Sequence, residues 1–316
     1  MHPAKTIALV TRLAPEEEAT WLDLLGRRLP GERLISFAAM TDSDKTAADI
    51  AIVANPDPAD VAALPNLAWM HSLWAGVERL VAELGRNAPP IVRLTDPELA
   101  RTMGEAVLAW SYYLHRDMPA YRRQQQDGLW RQLPYRLPSR TVIGLLGLGA
   151  LGKEAARRLT EAGFIVKGWS RTPKHLDGVE TCSGEQGLLT VLAASDIVVC
   201  LVPLTPQTRS LLNAERLAHC KPGSALINFA RGPVVVTDAL LSALDRNHLS
   251  HAVLDVFDQE PLPSSSPLWT HPDITILPHI SAPTDPKSAS DIVAANILAY
   301  RSQGIMPPAI DHSRGY

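Results

Sequence analysis

Three side chains with complementary acid–base chemistry fall in the last third of the chain, each after an apolar run. Arg231 follows Ser224 to Phe229, Glu260 follows His251 to Phe257, and His279 follows Ile274 to Leu277. A histidine titrates near neutrality and can hand a proton to an oxygen that is gaining charge. A carboxylate on the far ring nitrogen orients the imidazole and favours its charged form. A guanidinium presents a planar fork of donors that fits the carboxylate and keto oxygens of a 2-oxo acid together. The three types therefore suit reduction of a keto group. Arg231 would bind the substrate and steady the oxyanion, His279 would donate the proton, and Glu260 would orient His279. Singly each is ordinary: an arginine after a strand is usually a surface cation, and a histidine after proline is usually a packed loop residue. Their meaning comes from convergence on one edge of one sheet. Asp255, at the end of the His251 strand, is left between three roles: beside a nicotinamide carboxamide, tuning the cluster, or a structural strand-end acid.

The hydride such a reaction needs has a place in the stretch from Thr141 to Leu159. Val142 to Leu146 reads as a buried strand, Gly147, Gly149 and Gly152 complete G-x-G-x-x-G, and Leu151, Ala155, Ala156 and Leu159 recur at helical spacing. Strand, glycine turn and helix start in that order are what make the motif credible. Gly147 permits the turn, Gly149 lets a pyrophosphate approach the backbone, and Gly152 lets helix and strand pack closely. The amides of Ala150, Leu151 and Gly152 then face the anion at the helix start. A second strand, Phe164 to Trp169, follows. NAD-binding chains carry an acid about 20 residues beyond the glycines to accept from the ribose 2′-hydroxyl. Here Trp169-Ser-Arg-Thr172 stands in that place. Arg171 can grip a 2′-phosphate with two parallel charge-assisted bonds, Ser170 can add a hydroxyl, and Thr172 completes the loop. The cofactor expected is NADP(H), with NAD(H) less favoured. A further strand, Asp196 to Val202, ends at Pro203-Leu-Thr-Pro206 on the cofactor side, which adds Val202 and Pro203 to the lining.

These residues must be carried by a doubly wound scaffold. Strands are expected at Thr6–Val10, Leu34–Phe37, Asp49–Ala54, Leu67–Trp74 and Ile91–Leu94, alternating with helices, which makes a first parallel α/β domain. Trp74-Ala-Gly-Val77 closes the fourth of these strands, and the amides around Ala75 and Gly76 could cradle a carboxylate there. A long helix, about Ala100 to Gln126 with a break or kink at Pro119, leads to the second domain. Trp110, Tyr112 and Tyr113 on it would serve either a subunit contact or the core. Ser290 to Ser302 is a closing helix.

Composition agrees with such a protein. The chain has 316 residues, enough for two domains, with 46% hydrophobic and 20% charged residues. A net charge of −3 argues against a general nucleic-acid surface. Three cysteines, Cys182, Cys200 and Cys220, show neither paired spacing nor histidine partners and suit a reducing compartment. No stretch reads as a leader or a membrane span, so a cytoplasmic protein with no metal, no nucleic-acid partner and no membrane contact is expected.

The sequence resembles the D-isomer-specific 2-hydroxyacid dehydrogenases, and among them the NADPH-dependent glyoxylate/hydroxypyruvate reductase A-like group, almost from end to end. The likeness is carried by Gly147-Leu-Gly-Ala-Leu-Gly152, Trp169-Ser-Arg-Thr172, Leu201-Val-Pro-Leu-Thr205 with Thr208, Asn228-Phe-Ala-Arg-Gly232, Leu254-Asp-Val-Phe257, Glu260-Pro-Leu262, Pro267-Leu-Trp269, Pro278-His-Ile280 and Arg314-Gly-Tyr316. The resemblance implies that Arg231, Glu260 and His279 are the catalytic set, with Arg231 and His279 also touching substrate beside Trp74, Ala75 and Gly76. It implies that Thr208, Ala230 and Asp255 border the cofactor. It implies two doubly wound domains, a Rossmann-type cofactor domain (99–284) inserted in a flavodoxin-like substrate domain (1–98 with 285–316), with substrate in the cleft and a homodimer formed through the cofactor domain. The implied activity is NADPH-dependent reduction of glyoxylate or hydroxypyruvate. A broader 2-ketoacid reductase, or a non-catalytic module that senses NAD(P), is the alternative. Trp74 stands where the family usually has glycine, a departure that bears on pocket size.

Overall fold

The computed structural model describes residues 5–85 and 88–311. The Arg314-Gly-Tyr316 terminus lies outside the described residues. The chain divides into two compact units, Met1–Glu98 with Thr284–Tyr316, and Leu99–Pro283.

In chain order the first unit comprises β1 (Thr6–Thr11), α1 (Pro15–Arg28), β2 (Arg33–Ser36), α2 (Asp42–Ala47), β3 (Ala48–Ala54), α3 (Pro58–Ala62), β4 (Trp69–Ser72), α4 (Glu78–Leu84) and β5 (Ile91–Val92). Next come α5 (Pro97–His115), α6 (Met118–Gln126), β6 (Val142–Leu146), α7 (Ala150–Glu161), β7 (Ile165–Ser170), β8 (Glu180–Ser183), α8 (Gly184–Ala194), β9 (Ile197–Cys200), α9 (Ala214–Ala218), β10 (Ser224–Asn228), α10 (Thr237–Asp245), β11 (Leu249–Leu254) and β12 (Ile274–Ile276). Then α11 (Pro286–Gln303) returns to the first unit.

The first unit holds a parallel five-stranded sheet in the order β2-β1-β3-β4-β5, a flavodoxin-like arrangement. Apolar residues cover both its faces, as all-parallel sheets require. On one, Trp21 and Leu25 of α1 meet Val293 and Ile297 of α11 over Ile50 and Trp69. On the other, Met40, Val61 and Leu80 cover Ala51, Val53 and Met70. The returning helix is also tied by charge: Arg301, 12% exposed, donates to Glu32 at 3.0 Å and to Asp49 at 2.6 Å.

The second unit holds a seven-stranded sheet, β12-β11-β10-β9-β6-β7-β8, again parallel throughout. Counted within this unit the order is 7-6-5-4-1-2-3, the doubly wound dinucleotide order with one strand added, and its direction reverses between β6 and β9. The register aligns the strand ends: Trp169 with Leu146, Leu146 with Cys200, Cys200 with Asn228, Asn228 with Leu254, Leu254 with Ile276. Whatever follows these six residues emerges along one edge.

Several elements differ from expectation in ways the local chemistry explains. The long helix is two helices. Asp117 takes φ 54° between them and Pro119 sits in the first turn of α6, where its missing N–H costs nothing. The closing helix starts at Pro286, earlier than expected, because Asp285 caps it by accepting from the Ser288 amide at 2.8 Å. Asp96 caps α5 in the same way, accepting from Glu98 N at 2.8 Å. The edge strand β8 went unread, since Glu180-Thr-Cys-Ser183 has little apolar pattern.

Candidate active site

The strand register delivers Gly147, Asp255, Glu260 and His279 to the same edge of the second sheet as Arg231. There the Glu260 carboxylate meets His279: Nδ1 bonds Oε2 at 2.7 Å. The other oxygen, Oε1, accepts from the Phe257 amide at 2.9 Å, which fixes the carboxylate to its own loop. The hydrogen bond that His279 donates to Glu260 raises the His279 pKa above the ordinary imidazole value, against the opposing effects of burial and of the Arg231 cation. Burial pushes the Glu260 carboxyl up, but His279 and the Phe257 amide outweigh it and the net shift is downward. Both shifts favour the ionised pair, and Arg231 is close enough to act on both groups.

His279 stands at φ 55°, left-handed backbone that few side chains adopt. Asp255 holds it there. Its carboxylate, 2% exposed, accepts from Ile280 N at 2.7 Å and Ser281 N at 2.9 Å. Both oxygens are engaged with the backbone of the histidine turn, a structural role for this strand-end acid, and its charge also raises the His279 pKa. Asn228, 1% exposed, does comparable work for Arg231 and was missed in the sequence. Its side chain accepts from Ala230 N and donates to Arg231 O, both at 3.2 Å. A polar residue ending the apolar run Ser-Ala-Leu-Ile was the available signal. Arg231 itself is partly buried, with Nη1 donating to the Ala230 carbonyl at 2.6 Å.

The glycine turn has the shape a dinucleotide requires. Gly147 lies at φ 106°, its amide donates to Trp169 O at 2.8 Å, and a Cβ there would come within 2.8 Å of the Leu201 carbonyl. A Cβ on Gly152 would stand 1.9 Å from Gly147 O, so only glycine lets α7 start this near the strand. A Cβ on Gly149 would meet nothing within 4 Å. Gly149 and Ala150 are exposed, and Leu151 is partly so. Gly149 precedes α7 without a side-chain cap, and the first bond of the helix is Lys153 N to Gly149 O at 2.9 Å. The amides of Ala150, Leu151 and Gly152 therefore have no partner within the helix. An open cradle of donors at the sheet's reversal point fits a pyrophosphate.

Beyond β7, Arg171 and Thr172 are exposed, while Ser170 is 7% exposed and its hydroxyl donates to Thr172 O at 2.8 Å. Ser170 thus shapes the loop with the proton it was expected to offer a ligand. Lys174, passed over in the sequence, reaches back from the same loop: Nζ donates to the Leu148 carbonyl at 2.9 Å. After β9, Val202 is buried and Pro203 partly buried. The Thr208 hydroxyl donates to Pro203 O at 2.6 Å and accepts from Thr205 N at 2.8 Å, closing that loop on itself. Ala230 is buried at 4% beside Arg231.

In the first unit, Trp74, Ala75 and Gly76 lie in the turn between β4 and α4, all partly buried. The Trp74 indole packs edge-on against Trp21, centroids 6.2 Å apart, so it belongs in part to that unit's core rather than turning outward. Its amide donates to Ser72 Oγ at 3.0 Å.

Among the described residues no group of three or more histidines, cysteines or acids gathers as for a metal, and no helix is long and apolar enough to cross a membrane.

Comparison with known proteins agrees with this arrangement. Residues 108–281 match the model of the D-isomer specific 2-hydroxyacid dehydrogenase NAD binding domain. A glyoxylate/hydroxypyruvate reductase A from Serratia proteamaculans is 39% identical over 94% of this chain and 96% of its own length. One from Yersinia enterocolitica is 37% identical over 95% of this chain and 97% of its own. Among solved structures, a D-isomer specific 2-hydroxyacid dehydrogenase from Xanthobacter autotrophicus Py2, in complex with NADPH and MES, superposes with a TM-score of 0.92 at 37% identity, covering 99% of this chain and 100% of that one. An NADPH-dependent glyoxylate/hydroxypyruvate reductase from Sinorhizobium meliloti, in complex with NADP and sulfate, gives 0.91 at 31% identity, with coverage of 99% and 100%. With the fold, the glycine turn and the similarity all in agreement, the chain belongs to the D-isomer specific 2-hydroxyacid dehydrogenase family.

Proposed function

We propose that this chain is an NADPH-dependent reductase of small 2-oxo acids, with glyoxylate and hydroxypyruvate as first candidates. The observation that carries the reading is the 2.7 Å pair of Glu260 and His279 on the sheet edge that also bears the open glycine turn. NADPH, when bound, supplies the hydride. The amides of Ala150, Leu151 and Gly152 hold its pyrophosphate, the loop of Ser170, Arg171 and Thr172 takes the 2′-phosphate, and Val202, Pro203, Thr208 and Ala230 border the rest. Arg231 spans the substrate carboxylate and the keto oxygen with its fork, and it offsets charge on that oxygen as the bond order falls. His279 gives the proton on Nε2 to the same oxygen. Glu260 keeps Nδ1 protonated and stabilises the imidazolium until transfer. The amides of Ala75 and Gly76 are read as further donors to the substrate carboxylate. Residues 1–98 with 285–316 are read as the substrate domain and 99–284 as the cofactor domain.

The chain is further read as half of a homodimer in the cytoplasm. Support comes from the stretch after α5, where Tyr121, Leu129, Trp130, Tyr135 and Leu137 are all exposed, Trp130 at 98%. So much exposed aromatic surface in one segment suits a partner.

The test is NADPH oxidation, followed at its absorbance band, with a panel of 2-oxo acids and with NADH run alongside. Turnover of glyoxylate or hydroxypyruvate with NADPH preferred is expected. No turnover with any 2-oxo acid would remove the reading.

A further inference from the structure

We propose that Trp74 is a positioning residue for the substrate carboxylate, holding the turn of Ala75 and Gly76 from behind, and that its indole does not limit the length of the acid accepted. The inference rests on the 2-oxo acid reading above and deepens it at the Ala75 and Gly76 donors. Trp74 is fastened at three points, all within the first unit. Its amide donates to Ser72 Oγ at 3.0 Å, and its carbonyl accepts from Leu94 N at 3.2 Å. Its indole meets Trp21 of α1 edge-on, centroids 6.2 Å apart, and packs against the core that holds Leu73, Leu94 and Val293. Trp21 is itself 1% exposed, so the ring that Trp74 leans on is fixed.

The anchor for the Trp74 amide is buried and braced in turn. Ser72 ends β4 and is fully enclosed, as is His71 before it. His71 Nδ1 lies 2.9 Å from Ser72 O, and Nε2 lies 2.9 Å from Asn296 Nδ2 on α11. Burial pushes the imidazole pKa down to about 4, so the ring is neutral at ordinary pH. A carbonyl oxygen only accepts, so Nδ1 carries the proton and Nε2 accepts from the Asn296 amide. The end of β4 is thus bonded to α11 through His71, and Trp74 ties it onward to α1 and to the stretch after β5. The two residues that follow are in the opposite condition. Among the described residues the amides of Ala75 and Gly76 donate to no acceptor, and both residues are partly buried. Unused donors beside a residue held at its N–H, its carbonyl and its ring are pre-organised, and an anion reaching them does not have to order the turn first. An indole committed to Trp21 supports the backbone in front of it instead of walling a pocket.

Substitution separates a support from a wall. Trp74→Ala removes the indole and leaves both backbone bonds, Trp74→Phe keeps a ring for Trp21, and Ser72→Ala removes only the acceptor of the Trp74 amide. Each full-length protein is to be assayed with NADPH against glyoxylate, hydroxypyruvate, pyruvate and phenylpyruvate. Inhibition by oxamate and fluorescence titration of NADPH complete the set. In Trp74→Ala the KM of every acid and the Ki of oxamate are expected to rise together by about tenfold, the size of a weakened charge-assisted bond. Loss of ground-state positioning leaves kcat within about threefold, and NADPH affinity should stay within about twofold. The preference between phenylpyruvate and glyoxylate should not change, and Trp74→Phe should recover KM to within about threefold of the parent. Ser72→Ala should raise KM and oxamate Ki by about fivefold, the worth of one hydrogen bond, and it decides the matter alone if Trp74→Ala does not fold. A tenfold gain for phenylpyruvate over glyoxylate in Trp74→Ala would make the indole a wall and overturn the proposal. So would an unchanged KM and oxamate Ki in folded Trp74→Ala or in Ser72→Ala, or an equal loss of NADPH binding. If the parent turns over no 2-oxo acid, the reading of function fails first and takes this inference with it.

Discussion

Replacing Gly149 by alanine separates a cofactor cradle from an ordinary tight turn. The residue sits at φ −76° and ψ −163°, extended backbone open to any side chain. A Cβ built there finds no heavy atom within 4 Å. The folded apoprotein should therefore accept the methyl. Fewer unfolded conformations favour alanine by about 0.4–1 kcal/mol. The poorer capping of α7 by alanine than by glycine works the other way by up to about 1 kcal/mol. The two nearly cancel, so apoprotein Tm should stay within about 4 °C of the parent. The bound state is another matter. The methyl would project into the space beside the amides of Ala150, Leu151 and Gly152, where the pyrophosphate is placed. Forcing one methyl into a filled contact costs about 1–3 kcal/mol, a rise of about five- to 150-fold in Kd. Thermal melts of apoprotein and fluorescence titration with NADPH report the two effects independently. An alanine variant that binds NADPH as tightly as the parent would refute the assignment of this turn to the pyrophosphate, whatever its stability.

Other expectations can be checked with the same material. Gly152→Ala should differ in kind: its Cβ would stand 1.9 Å from Gly147 O, so α7 must retreat by at least about 1.1 Å to reach 3.0 Å. Both apoprotein stability, by about 1–3 kcal/mol, and NADPH binding should suffer. An unchanged melting temperature would mean the close packing is not real. His279→Ala should lower kcat by about a hundredfold or more with NADPH affinity nearly intact, because a proton donor acts chiefly in the transition state. Equal loss of NADPH binding would count against that role. Glu260→Gln removes the carboxylate that raises the His279 pKa. Keto-acid reduction requires protonated His279, so activity is present below that raised pKa and lost as pH rises through it. In the variant the loss should begin at lower pH, and a pH profile of kcat/KM that does not move would sink the pairing. Trp130→Ser should weaken self-association, read by sedimentation equilibrium, if the 98% exposed indole is buried in a homodimer.

Much of the scaffold is legible in the amino-acid sequence. Parallel sheets buried on both faces need apolar strands, and runs such as Ile-Ala-Ile-Val-Ala in β3 and Val-Ile-Gly-Leu-Leu in β6 advertise them. Helix starts carry local signs, proline with acids at Pro15-Glu-Glu-Glu18 and the Asp96 cap before Pro97. They were missed where the same signs were read too late, as at Asp285-Pro286. The edge strand β8 was invisible because an edge position with partly exposed faces asks for no apolar pattern.

The candidate chemistry divides in the same way. Residue type and place after a strand were enough to nominate Arg231, Glu260 and His279, and glycine spacing was enough to locate the dinucleotide turn. Neither tells which side chains touch. That Glu260 meets Nδ1 of His279, that Asp255 clamps the histidine turn and that Lys174 turns back to Leu148 depend on residues 19, 25 and 26 apart in the chain. The sequence alone determined the periodic, short-range part of this protein, because strand burial, capping and tight turns are set by neighbours in the chain. The tertiary structure decided the pairings, because a hydrogen bond depends on a few tenths of an ångström, and that precision exists only after distant strands have come into register.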